Sequence, residues 1–356
     1  MQILQLLPTI SYGDAVSNDT MALEKVIRKM GYKTGIYAES VDVRLPKGTA
    51  MQMRKLPKLK PEDVVIFHMS TGAQCNWDFG KLPCKKVMVY HNITPSRFLE
   101  SYNTLAAKQC DDGMEALRYL SDKVDYCLAV SEFNKRDLEN IGFKCKIDVL
   151  PILIPFKDYD RQPDGITIRK YSDDYTNILF TGRIAPNKCQ EDVIRSFAFY
   201  QKNYNPKSRL FLAGSDSGYE NYHKRLESYA QALHAQNVIF SGHIKFETIL
   251  AYYKLADVFL CQSEHEGFCV PLVEAMYFDV PVIAYDAGAV YDTLGGSGIV
   301  LKDKNSLETA GMIDKVVRDS ELRKTIIANQ QERLHDFNHT VIEQQFEQLL
   351  HQNVLS

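Results

Sequence analysis

The chain has 356 residues, 45% hydrophobic and 24% charged, with a formal net charge of -3. That length implies about two domains, and that balance implies a globular chain rather than a disordered one. The charge gives no reason to expect nucleic acid as a partner, and no apolar run approaches the roughly 20 residues that span a bilayer.

From the N-terminus, the stretch Ile3 to Ile10 is interrupted by Gln5 and Pro8 and has no basic start. It reads as a first strand and not as a signal peptide. Strands are expected near Ile3–Leu7, Thr34–Tyr37, Val64–His68, Val87–His91, Tyr126–Val130 and Ile147–Leu150. A second set follows near Ile178–Phe180, Leu210–Ala213, Val238–Phe240, Val258–Cys261, Val280–Ala284 and Gly298–Leu301. These runs are almost continuously apolar, as in parallel strands buried on both faces. Between them, Leu23, Ile27 and Met30, and later Val193, Phe197 and Tyr200, repeat at helical spacing.

The alternation restarts after about residue 151. Pro151–Asp174 holds three prolines and several charges without clear periodicity, so it reads as a linker. The expected architecture is α/β: two Rossmann-like, doubly wound parallel-sheet domains facing a cleft. Residues 1–151 form the first, 152–175 the linker and 176–335 the second. A C-terminal helix within 336–356 is a candidate to return to the first domain. The alternative is one large α/β domain. The eight cysteines form no C-x-x-C pair, which fits reduced, buried thiols in a cytoplasmic protein and no zinc site.

Three loops carry candidate chemistry. In Thr181-Gly182-Arg183-Ile184-Ala185-Pro186-Asn187-Lys188, Gly182 permits a tight turn at a strand end. Arg183 offers a planar fork and Lys188 a mobile point charge, a pair suited to a diphosphate. A basic surface loop is the plainer reading. The second loop runs from Glu264 to Met276, with Glu266, Gly267, Phe268 and Cys269 ahead of Pro271, Leu272 and Glu274. Pro271 suits the first position of a helix, whose free amides make an anion or hydroxyl site. Glu274 could equally do no more than complement the helix dipole. The third, Gly13-Asp14-Ala15-Val16-Ser17, is one glycine before a helix expected near Ser17 to Asp19. A simple capped turn explains it as well.

Arg183, Lys188 and the Glu266/Glu274 pair, spaced E-x-x-x-x-x-x-x-E, resemble the donor-site motifs of family 4 glycosyltransferases. Those are retaining enzymes of the GT-B fold. The likeness extends to Val238–His243, to Tyr90-His91-Asn92-Ile93-Thr94-Pro95 and to Ala129–Asn134. Many members carry more glycine in the first loop, where this chain has Gly13-Asp14-Ala15. Many also have glycine after the lysine, where this chain has Cys189.

The resemblance implies transfer of a hexose from a nucleotide-diphosphate sugar, GDP-mannose or a UDP-hexose, to a glycan or lipid-linked sugar. Such enzymes serve bacterial surface-polysaccharide and O-antigen assembly, with a lean here to GDP-mannose. It implies that Arg183 and Lys188 neutralise the leaving diphosphate beside Gly182, that Glu274 binds the ribose, and that Glu266 meets the transferred sugar. The Gly267, Phe268 and Cys269 amides would lie beside Glu266, and His91 near the reacting sugar. Gly13, His243 and Leu272 complete the implied donor site, and no metal or other cofactor is expected. His68 is left out, and Asp158-Tyr159-Asp160 is treated as a chance D-x-D match. Two rivals stand against this reading: another GT-B enzyme such as a nucleotide-sugar epimerase, and a non-catalytic nucleotide-binding scaffold.

Between Arg44 and Lys60 lie six basic residues and no acidic one, with Met51, Met53, Leu56 and Leu59 interleaved. This segment is a candidate for peripheral contact with the cytoplasmic face of a membrane, with a solvated basic loop as the alternative.

Overall fold

A computed structural model describes residues 1–355. Its first sheet holds β1 (Gln2–Ile10), β2 (Lys33–Val41), β3 (Met51–Gln52), β4 (Val64–Met69), β5 (Lys85–Tyr90), β6 (Tyr126–Ala129) and β7 (Lys146–Val149), in the order β3-β2-β1-β4-β5-β6-β7. The second holds β8 (Thr176–Thr181), β9 (Ser208–Ala213), β10 (Val238–Gly242), β11 (Val258–Cys261), β12 (Val282–Tyr285) and β13 (Ile299–Leu301), in the order β10-β9-β8-β11-β12-β13. Every pairing in both sheets is parallel. The two sheets are the Rossmann-like pair the sequence implies, and β4 and β8 are buried at every position. β3 was not foreseen, because two exposed residues are too few to show a strand's alternation.

In each sheet the strand order reverses beside its first strand, between β1 and β4 and between β8 and β11. Loops leaving the carboxyl ends of strands at such a switch point form the usual ligand crevice of an open α/β sheet. The loops singled out from sequence leave β1, β8 and β11.

Local chemistry moves some expected boundaries. The first helix is Ala15–Lys29, starting earlier than the Ser17–Asp19 expected, because Asp14 caps it by accepting from Ser17 N at 2.9 Å. The linker is not structureless. It contains a 3-10 turn, Phe156–Asp160, and a helix, Gly165–Tyr171, capped by Asp164. Its prolines and charges hid a helix too short to show a period.

Packing divides the chain into two compact units. One comprises Met1–Arg97, Leu105–Phe156 and the chain from Asp336 on, and the other Phe98–Thr104 with Lys157–His335. Residues 98–104 therefore group with the second unit, although sequence order placed them in the first domain. Within the first unit, the helix His339–Leu350 buries Ile342, Phe346 and Leu350. Gln345 Nε2 donates to the Val149 carbonyl at 2.9 Å, and Lys29 pairs with Glu343 at 2.8 Å. Among the described residues, no helix is long and apolar enough to cross a membrane.

Candidate active site

In the second unit, the loop after β8 is held by backbone contacts that only glycine allows. Gly182 has φ +142°, and its amide donates to the Ala213 carbonyl at 2.9 Å. A Cβ on Gly214, at the end of β9, would lie 1.8 Å from the Gly182 carbonyl oxygen. Gly214 was missed by the sequence reading, since nothing in one strand reports how closely its neighbour runs. Arg183 is exposed, its guanidinium 5.5 Å from the Tyr219 ring centroid. Lys188 ends a 3-10 turn, and Cys189 follows with φ 49° and ψ 49°. That left-handed backbone explains why glycine is favoured there in similar enzymes.

This loop is stitched to the one after β11. Glu264 N donates to the Asn187 carbonyl at 2.9 Å, and Asn187 Nδ2 to the His265 carbonyl at 3.2 Å. The stitching brings Lys188 Nζ within 2.7 Å of both Glu266 carboxylate oxygens. Glu266 is 6% exposed and the Lys188 side chain 21%. Burial works against the ammonium, but the Glu266 carboxylate outweighs it and raises the lysine pKa above its ordinary value. Gly288, after β12, packs against the Glu266 backbone so closely that a Cβ would lie 2.4 Å from its carbonyl oxygen. The helix that follows is Val270–Tyr277, with Pro271 at its second residue rather than its first.

Glu274 projects from that helix and is gripped by two tyrosines. Tyr159 Oη donates to Oε1 at 2.9 Å and Tyr253 Oη to Oε2 at 2.7 Å, while Thr181 Oγ1 meets Tyr253 Oη at 2.6 Å. Burial raises the Glu274 pKa and the tyrosine bonds pull it back. Tyr159 is the middle residue of the D-x-D match. Its flanking aspartates are spent locally, Asp158 on Arg161 and Asp160 on the Tyr277 hydroxyl. A carboxylate has about four lone-pair sites, so each Glu274 oxygen can still accept one further hydroxyl.

In the first unit, β5 ends at Tyr90, leaving His91 as the first residue past the strand. Asn92 follows with φ 76°. It is tied by its Nδ2 to Asn134 Oδ1 at 2.7 Å, and Asn134 Nδ2 donates to the Tyr90 carbonyl at 3.1 Å. The two N-terminal segments that carry the resemblance are thus one hydrogen-bonded unit. His91 Nε2 lies 2.9 Å from His68 Nδ1 and 3.8 Å from Asp19 Oδ2. His68, left out of the implied site, sits directly behind His91. Burial drops the His91 pKa to about 3 and His68 well below its ordinary value, and it lifts Asp19 to about 7.

Other expected residues fall outside these clusters. Gly13 has φ +74° with open space around it, in the Asp14-capped turn. His243 is exposed at the end of β10, the edge strand, two strands from β8. Leu272 is fully buried and its amide donates to the Cys269 carbonyl, so it belongs to the core and not to the donor site. Phe268 is buried with its carbonyl accepting from Thr293, and Cys269 has φ 70° just ahead of the helix. Gly267 lies half-buried between Glu266 and Phe268.

Sequence spacing gave no hint of metal ligands, yet among the described residues the fold gathers three sets: Asp19-His68-His91, Cys261-Glu266-Cys269 and Cys189-Asp192-Glu264. In two of them a lysine already pairs with the carboxylates, Lys188 with Glu266, and Lys304 with Asp192 and Glu264 at 2.8 Å each. In the third, His68 is engaged at both nitrogens.

Residues 167–333 match the family model of glycosyl transferases group 1. The chain is 27% identical over 249 residues to the capsular polysaccharide biosynthesis glycosyltransferase CapM of Staphylococcus aureus, covering 65% of this chain and 64% of that protein. It is 29% identical over 167 residues to an uncharacterized glycosyltransferase of Methanocaldococcus jannaschii, covering 46% of this chain and 41% of that one. The matches therefore span less than two thirds of these relatives' own lengths. Anabaena Alr3699/HepE, solved in complex with UDP-glucose, superposes with TM-score 0.77 at 18% identity, over 99% of this chain and all of that one. That likeness establishes the GT-B fold. The residues that match this family model, 167–333, hold both cations and both glutamates of the candidate site.

Proposed function

We propose that the protein is a retaining hexosyltransferase that uses a nucleotide-diphosphate hexose and no metal, with a glycan or lipid-linked sugar as acceptor. The observation that carries this is the Lys188–Glu266 pair at the β8/β11 switch point, with Glu274 one helix away. An ammonium has three donors. Glu266 takes two, leaving one for a phosphate oxygen, and Arg183 adds an exposed second cation. As the glycosidic bond breaks, charge collects on the diphosphate, and fixed cations stabilise it without reorganising. Glu274, held by Tyr159 and Tyr253, accepts the two ribose hydroxyls, one on each oxygen. Glu266 and the neighbouring amides contact the hexose, and the resemblance assigns His91 to the reacting sugar. Retention follows from attack on the leaving-group face, with a phosphate oxygen taking the acceptor's proton.

GDP-mannose and UDP-hexoses are the candidate donors. The capsular and UDP-glucose-bound relatives support surface-polysaccharide assembly and a UDP-hexose respectively. A thermal-shift panel of nucleotide sugars tests the reading, since a ligand at 100 times its Kd adds about 2.7 kcal/mol. No shift with any member overturns it. Binding without turnover favours a scaffold, and product from donor alone favours an epimerase.

Residues 44–60 form the face proposed to dock on an anionic membrane. Lys47, Arg54, Lys55 and Lys58 are exposed there, whereas Arg44 pairs with Asp42 and Lys60 with Glu62. Leu59 is buried and cannot enter headgroups as the sequence suggested, which leaves the cations, exposed Met51 and half-buried Met53 and Leu56. Co-sedimentation with anionic liposomes at low salt should fall when Arg54, Lys55, Lys58 and Lys60 become serine. Equal binding, or none by the parent, removes the segment from the mechanism.

A further inference from the structure

Behind His91 runs a buried chain of polar groups that no backbone pairing requires. Gln5, in the middle of β1, is fully buried, as is His68 on β4. Gln5 Nε2 donates to the Thr20 carbonyl at 2.9 Å. A backbone carbonyl can only accept, so this bond fixes the amide: Gln5 Oε1 must be the atom 2.8 Å from His68 Nε2. Oε1 only accepts, so His68 Nε2 carries a proton. Burial keeps His68 neutral, so its Nδ1 is a bare acceptor. The 2.9 Å contact between His68 Nδ1 and His91 Nε2 then requires the proton on His91 Nε2.

Burial keeps His91 neutral too, which leaves its Nδ1 unprotonated. The His91 side chain is 2% exposed, and Nδ1 has no hydrogen-bond partner in the protein. Asp19 does not compete: its Oδ1 accepts from Leu153 N at 2.8 Å, and its Oδ2 is 3.8 Å from the other His91 nitrogen. An unpaired buried acceptor is costly to keep, and Asn92, the next residue, holds a positive φ of 76°.

We propose that Gln5 and His68 are positioning residues that lock His91 as its Nε2–H tautomer, so that Nδ1 serves as an acceptor for a hydroxyl of the transferred hexose. The identity of that ligand rests on the function proposed above, whereas the tautomer rests on the relay alone. A lone pair at this point admits a neutral hydroxyl and disfavours a carboxylate, so the relay selects hexoses over uronic acids at that position.

Nitrogen NMR of the full chain labelled in histidine reads both parts. In the free protein, His91 should show a bare, pyridine-type Nδ1 and a protonated Nε2, with His68 protonated at Nε2. A protonated His91 Nδ1 overturns the proposal. UDP-glucose or GDP-mannose should then move the His91 Nδ1 resonance, while UDP or GDP, which lack the hexose, should not. If the diphosphates bind and the sugars leave Nδ1 unmoved, the hydroxyl assignment fails. If none binds, the donor-site reading fails and takes the hydroxyl assignment with it, while the tautomer is still decided by the free spectrum. Gln5→Leu removes the acceptor for His68 Nε2 and should shift the pair towards His91 Nδ1–H. It should raise the donor KM about tenfold, the loss of one buried hydrogen bond. A Gln5→Leu protein that keeps the wild-type tautomer and KM contradicts the positioning role.

Discussion

The two glutamates of the E-x-x-x-x-x-x-x-E spacing differ in what already holds them, and their variants should differ accordingly. Glu266 grips Lys188 with both oxygens. Glu266→Gln releases that ammonium, so free nucleoside diphosphate should bind as well or more tightly, while turnover falls at least about tenfold. Glu274→Ala removes the ribose acceptor and should weaken the diphosphate itself. Calorimetry on both variants decides, and equal losses of nucleotide affinity contradict the assignment. Lys188→Ala should also lose at least about tenfold in rate. Since Lys188 already neutralises Glu266 and Lys304 pairs with Asp192 and Glu264, activity should persist in excess chelator. Loss in chelator with rescue by manganese would show the metal-free reading to be wrong.

At the level of elements, the candidate site depends on loops that are hydrogen-bonded to one another. Gly214→Ala places a methyl against the Gly182 carbonyl. Backbone must move, so a loss of about 1–3 kcal/mol in stability is expected, with weaker donor binding. Denaturant melts and a binding titration on one preparation check both. Tyr159 works in the other direction, reaching out of a 3-10 turn to orient Glu274. Tyr159→Phe keeps the ring packing and deletes one hydrogen bond of about 0.5–1.5 kcal/mol. Diphosphate affinity should drop up to about tenfold with the melting temperature nearly unchanged. A large stability loss with unaltered affinity would make Tyr159 merely structural.

For the whole molecule, the buried relay predicts an acid limit. The fold keeps His68 and His91 neutral, His91 down to about 3, whereas in the unfolded chain both protonate near 6.5. Unfolding therefore takes up protons, and this contribution to stability is lost as pH falls from about 6.5 towards 3. Asp19 acts oppositely. Its pKa is raised to about 7 in the fold against about 3.9 unfolded. Its contribution is complete below about 4 and lost as pH rises through about 7. Two imidazoles outweigh one carboxyl between these limits, and below about 4 they act alone. Melting temperatures across pH 4–7 should show a steeper acid slope for Asp19→Asn than for the parent, and a flatter one for His91→Asn. Parallel curves for all three proteins would rule this out.

The sequence by itself determined the strands other than β3, their parallel pairing and the residues with reactive heads. Each leaves a local signature: an apolar run buried on two faces, a glycine at a strand end, a charge spacing along a loop and helix. It also pointed to His91, through a motif. What it could not show is which groups meet. Gly214 and Gly288 matter because another backbone passes close by, and Tyr159 because Glu274 lies 2.9 Å away across 115 positions. His68 was set aside as an ordinary strand-end histidine, since its role exists only once β1, β4 and β5 lie side by side and bring Gln5 and His91 to its two nitrogens. Hydrogen bonds and desolvation act over a few ångströms, and only tertiary structure decides which distant residues come within that range.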